Sequence, residues 1–161
     1  MFKNKKITLT TLLLIASLKA FCGVVDHDIM YQAYLDNNMS VWKTELQKYT
    51  TSPNLTTTDK LEISNYLYGY VATLLIDADK NKQEINDWIN LWEQYLNDIE
   101  QTTGKNAYVY VYRSSINAYK SKVKAGGMMV WGPRSLTELK RALAAAPNNP
   151  LANGLKGNML F

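Results

Sequence analysis

The chain has 161 residues, 47% of them apolar and 20% charged, a balance that suits a folded globular body and excludes a disordered one. Its formal charge of +4 belongs to its first residues: Lys3, Lys5, Lys6 and Lys19 are four of the 18 basic side chains, no acid accompanies them, and the rest of the chain carries 14 of each sign. A neutral body with only three arginines (Arg113, Arg134, Arg141) offers no phosphate-reading surface, so nucleic acid is not an expected partner.

Met1–Gly23 runs from lysines through an apolar stretch, Ile7–Leu18, to the small-residue segment Ala20–Phe21–Cys22–Gly23. That order predicts a secretory signal peptide over residues 1–22 and a secreted or periplasmic protein. The apolar run is shorter than the ~20 residues a membrane span needs. Cleavage after Cys22 or Ala20 fits the small residues there, and lipidation of Cys22 is a third outcome, set against by Lys19 and Phe21 at the neighbouring positions. Cys22 is the only cysteine, so disulfides and thiolate chemistry are excluded from the body. Residues 23–161, roughly 139 of them, suffice for one domain with a sizeable core.

Helical spacing dominates the chain beyond Gly23. Asp26 or Asp28 opens a first helix reaching about Asn37, and Ser40 caps a second with Trp42, Leu46 and Tyr49 on one face. The polar loop around Pro53 leads to Asp59 and Glu62, three apart as a capping box requires, and a third helix whose apolar residues wrap most of its circumference. A fourth helix has the cleanest stripe: Ile85, Trp88, Ile89, Trp92, Tyr95, Leu96 and Ile99, ended by Gly104. Tyr108–Tyr112 alternates like a strand, but Tyr108, Tyr112, Ile116, Tyr119 and Val123 share a helix face, so a fifth helix is expected. Gly126–Gly127 interrupts it. Met128–Trp131 is expected to be an apolar loop and Pro133 to sit in the first turn of a sixth helix ending near Pro147. Pro150 opens a seventh that runs to the apolar Leu160–Phe161, so either that helix docks on a partner or the chain is the front portion of a longer protein.

The stretch Leu139, Ala142, Leu143, Pro147, Asn148, Asn149, Pro150, Gly157 resembles the end of one tetratricopeptide repeat and the start of the next: a small residue five before the closing proline, and a glycine ten after it. Asn37–Trp42 is similar to the turn inside such a repeat. Lys156 departs from the apolar residue usual before that glycine, and no 34-residue period runs through the chain. The chain as a whole also resembles secreted, tetratricopeptide-like helical proteins of Bacteroidetes-type bacterial envelopes. The resemblance implies an all-α array of antiparallel helical hairpins, a helix at Ala152–Phe161 that continues into a further hairpin, structural roles for Ala142, Pro147 and Gly157, and a non-catalytic protein–protein interaction module whose client is a protein or peptide.

The residues that could carry chemistry point the same way. Asp77–Asn81 copies half a calcium loop, but Lys82 and Trp88 stand where Gly and the bidentate Glu belong. One histidine, His27, and one cysteine cannot close a zinc site, and His27 lies just beyond the expected cleavage site in a segment expected to fray, where a hydrolytic triad needs a His buried and oriented by a second group. No metal, cofactor or catalytic residue is expected. The surplus lies in eleven tyrosines and four tryptophans. Tyrosines two apart on a helix diverge by about 200°, so Tyr68, Tyr70, Tyr108, Tyr110 and Tyr112 cannot all point inward. They either line a partner-binding groove, with Trp131 in the apolar loop beside it, or fill helix seams with their hydroxyls at the edges. The alternative function is a small-ligand or glycan binder using the same rings.

Overall fold

Side-chain caps set where the chain turns helical in this computed structural model, which describes residues 23–159. The expected signal peptide with its Cys22, and the terminal Leu160–Phe161, lie outside the described residues. Asp26 accepts the Ile29 N–H at the head of α1 (His27–Leu35), and Asn38 accepts the Val41 N–H at the head of α2 (Met39–Thr50). The cap of α2 is therefore Asn38 and not Ser40, whose hydroxyl donates to the same Asn38 oxygen at 2.9 Å. A true capping box opens α3 (Thr57–Leu74), three residues earlier than the Asp59–Glu62 spacing suggests: Thr56 accepts the Asp59 N–H while Asp59 accepts the Thr56 N–H at 2.8 Å. A short 3-10 turn, Leu75–Asp77, leads into α4 (Lys82–Thr103), which Gly104 ends at φ 72°. Asn106 accepts both the Tyr108 and Val109 N–H groups and starts α5 (Ala107–Val123), so the Tyr108–Tyr112 run is helical. Two more helices complete the described chain, α6 (Gly127–Ala145) and α7 (Pro150–Met159). Among the described residues there is no strand.

The expectation of a loop at Met128–Trp131 is overturned. Those residues are helical, and Pro133 lies inside α6. A proline there forfeits the bond to the carbonyl four residues back, and its ring crowds the preceding residue. That residue is Gly132, which has no Cβ to crowd, and the side chain of Met128 folds into the space: a Cβ on Gly132 would stand 2.7 Å from its sulfur. Packing against α5 holds the helix through the missing bond. Ser114 Oγ donates to the Ser135 carbonyl and Ser135 Oγ to the Ser114 carbonyl, each at 2.8 Å and buried, so these two helices approach through hydroxyls where bulk would hold them apart. The turn between them is made by Gly126 at φ 85°, where a Cβ would collide with Val130.

Two cores result, with α5 between them. The larger joins Val25 and Met30 at the start of the described chain to Trp42, Leu46, Ile63, Leu67, Trp88, Trp92, Leu96 and Ile99, and takes Val109, Tyr112, Ile116 and Val123 from one side of α5. Each fully buried aliphatic in it contributes about 1.5–3 kcal/mol of transfer free energy. The smaller comprises Val111 from α5's other side with Leu139, Ala142, Ala152 and Leu155 of α6 and α7. No helix of the described residues is long and apolar enough to cross a membrane.

Candidate functional site

The five expected tyrosines do not form a groove. Tyr70 is 3% exposed and donates its hydroxyl to Glu84 Oε1 at 2.8 Å, with the Trp88 ring edge-on at 5.9 Å. Tyr112 is 4% exposed and lies against Trp92 at 5.5 Å. Burial, aided by the Glu84 carboxylate beside Tyr70 and by Tyr108 beside Tyr112, pushes both phenols well above their ordinary range. Tyr68 stacks on Tyr119 in the α3–α5 seam, and Tyr119 donates to the Tyr68 carbonyl at 3.0 Å. Tyr110 is half-buried against the smaller core, and Tyr108 alone of the five is exposed. The seam-filling alternative describes four of these rings, because i and i+2 positions on α3 and α5 face different neighbours.

Of the residues singled out in the repeat-like segment, Ala142 is fully buried in the smaller core, and Pro147 comes just after the end of α6 at Ala145. Among the described residues Gly157 meets no close helix approach, since a Cβ there would find nothing within 4 Å. The glycine that does so is Gly69, whose Cβ would lie 3.2 Å from the Trp42 ring.

Trp131 is brought to a site, though from a helix. A cleft of about 570 Å³ opens between α4, α5 and α6, walled by Glu93 and Asn97, by Arg113, Asn117 and Lys120, and by Trp131, Arg134 and Glu138. Lys120, whose side chain is only 10% exposed, ties the three helices together: its ammonium meets Glu93 Oε1 at 2.6 Å and stands 4.9 Å from the Trp131 ring centre. The Arg134 guanidinium lies 4.8 Å from the same ring, and Trp131 Nε1 donates to the Ala125 carbonyl at 3.1 Å, fixing the indole. Arg113 binds Glu100 and donates to Asn97 Oδ1 at 2.9 Å. Glu138 takes Arg141 at 2.8 Å through Oε1, while its Oε2 is buried without a donor.

These pairings leave a simple electrostatic remainder. Each carboxylate on the wall has a cation, whereas Arg134 has no carboxylate within 4 Å among the described residues. Lys120, Arg134 and Asn117 are wall residues that spacing and composition do not single out; yet Asn117–Lys120 on α5 and Trp131–Arg134 on α6, three apart in both, place each pair on one helix face.

No other constellation rises to a site. His27 Nδ1 lies 2.7 Å from the Tyr66 hydroxyl and Nε2 is 3.8 Å from Glu62, in an exposed position with no nucleophile beside it. Asp77–Asn81 is a turn, in which Asn81 donates to the Leu74 carbonyl at 3.0 Å. No group of three or more His, Cys, Asp or Glu side chains among the described residues could hold a metal. No family model, no curated protein and no solved structure matches the chain.

Proposed function

We propose that this protein is a non-catalytic interaction module, secreted or periplasmic and built of tetratricopeptide-like helical hairpins, that holds a carboxylate-bearing peptide segment in the cleft between α4, α5 and α6. The observation that carries the reading is the unpaired Arg134 guanidinium, held 4.8 Å from Trp131 on a wall where the carboxylates are already paired. A planar fork of donors fixed in place is suited to a carboxylate, and the amides of Asn97 and Asn117 offer the donor and acceptor that a peptide group needs. Helical hairpins position such groups without moving parts, which keeps the entropic cost of binding low.

Peptide display on the full chain tests it. Bound sequences should be enriched in Asp, Glu or a free C-terminus, and Arg134→Glu should weaken binding by about tenfold or more, while Tyr108→Ala, outside the cleft, leaves it unchanged. Selection without acidic enrichment, or equal binding by Arg134→Glu, overturns the proposal. The volume of the cleft also falls within the roughly 300–1,000 Å³ range of small-ligand sites. That favours the glycan or small-ligand alternative, but the Trp131 ring is engaged by two cations and offers little free face for stacking on a sugar.

A further inference from the structure

The neutral body hides a division. Residues 23–103 carry 13 acidic and five basic side chains; residues 104–161 carry nine basic and one acidic. The first span includes α1–α4 and the second α5–α7, so the molecule has an acidic flank and a basic flank.

Each flank also presents an apolar stripe that no helix of the described residues covers. On α1, Tyr31, Tyr34 and Leu35 are 63%, 63% and 57% exposed at positions i, i+3 and i+4, one helix face. Tyr34 is held there by an edge-on contact with Trp42 at 6.2 Å. Asp28 lies three residues before Tyr31 on the same face, and Asp36 comes directly after Leu35; neither has a cation within 4 Å among the described residues. On α6, Met129 is 90% and Leu136 50% exposed, and with Pro133 and Lys140 they fall at 0, 4, 7 and 11, again one face. Lys122 in the last turn of α5 and Lys124 just after it, together with Lys140, have no carboxylate within 4 Å among the described residues. Since α1 packs on α2, and α6 on α5 and α7, the two stripes belong to different flanks of the molecule.

We infer that this chain associates with copies of itself head to tail, the α6 stripe of one copy seated on the α1 stripe of the next. The two surfaces match in kind, a narrow helical apolar stripe, and oppose in sign, with carboxylates beside one and ammonium groups beside the other. Exposed contiguous apolar faces on a folded chain mark interaction surfaces, and complementary charge beside them selects the partner and speeds encounter. Two copies of either face repel, so a symmetric pairing is disfavoured; the unlike faces generate a heterologous contact, which closes into a ring or continues as a filament. The cleft lies outside both stripes, so this association does not depend on what the cleft holds.

Sedimentation velocity on the full chain, over a range of concentrations, tests the inference. The expected result is association that weakens on the order of tenfold between about 50 and about 500 mM salt, as the charges are screened. Asp28→Lys with Tyr31→Lys, and separately Met129→Ser with Leu136→Ser, change only exposed side chains and should each abolish assembly, with unchanged helical circular dichroism. Mixed together, the two variants should form a 1:1 pair and nothing larger, because one copy keeps only its α6 face and the other only its α1 face. A chain that is monomeric at every concentration, or assembly that both double variants leave intact, overturns it. So does monomeric protein that binds phosphatidylglycerol vesicles through Met129 and Leu136, which would assign the α6 stripe to an anionic lipid surface.

Discussion

The two cores on either side of α5 are built from different materials. The larger relies on bulk: Trp92 and Ile89 are fully buried, and Trp92 packs its ring on Tyr112 and Tyr119. The smaller relies on closeness, with Ala142 and Ala152 at its centre and the reciprocal Ser114–Ser135 hydroxyl bonds drawing α5 and α6 together. Bulk removes much apolar area from water per residue, whereas small side chains let backbones approach and leave wall space for a cleft. Core and cleft are thereby parted: α1–α4 hold most of the buried apolar area, and the α5–α6 pair supplies most of the cleft's charged lining.

Removing bulk should therefore be the costlier injury. Trp92→Ala is expected to lose about 3–5 kcal/mol by denaturant unfolding, since the ring leaves a cavity that neighbouring Trp88 and Tyr112 cannot fill; an unchanged midpoint would place Trp92 outside the core. Leu139→Ala in the smaller core should cost about 2–3 kcal/mol, with hydrogen exchange quickening in α6 and α7 before α1–α4. Uniform quickening along the chain would mean that the two cores open as one. Ser135→Ala removes the donor to the Ser114 carbonyl but keeps the Ser135 carbonyl that accepts from Ser114, for a loss of about 1–2 kcal/mol, and should also weaken the peptide binding proposed for the cleft.

The smallest expected effect is one of pH. Burial raises the Asp59 and Glu84 carboxyls, but hydrogen bonds outweigh it: from Thr56 and the Val24 N–H to Asp59, and from Lys43, Tyr70 and Trp88 to Glu84. Both end below their ordinary values. A group depressed in the folded state contributes stability that is present above its unfolded value, near 4, and lost as pH falls through the lower folded value. Acidification below about pH 4 should thus loosen the heads of α3 and α4 first. Asp59→Asn should flatten that dependence and cost about 1 kcal/mol at neutral pH through the weakened capping box; identical acid profiles for the variant and the parent would clear Asp59 of any part in it.

How much of the fold and the cleft was legible in the residues depends on whether local or distant contacts decided it. All seven members of the Ile85–Ile99 stripe are buried, because a period of 3.6 is a statement about one helix and its face. The start of α6 was not legible: Pro133 reads locally as a first-turn proline, so the helix was expected to begin there, and the turns before it are held by packing on α5, where Ser135 pairs with Ser114, 21 residues away. The groove failed for a related reason. Spacing shows that five tyrosines diverge, but only the neighbours decide that Tyr70 turns to Glu84 and Tyr68 to Tyr119. The charged flanks are invisible in the net charge, because the acidic excess of residues 23–103 cancels the basic excess of residues 104–161.

Lys120 carries a consequence for the chemistry of the molecule's amines. Its ammonium is locked between Glu93 and Trp131, while Lys122 and Lys124, two and four residues on, stand clear of any carboxylate among the described residues. An acylating reagent needs room to approach the amine, so the three should react on different clocks, the buried Lys120 far behind the others. Its rate would then read out how tightly the Glu93–Lys120–Trp131 contact is kept, a chemical gauge of the cleft wall's integrity.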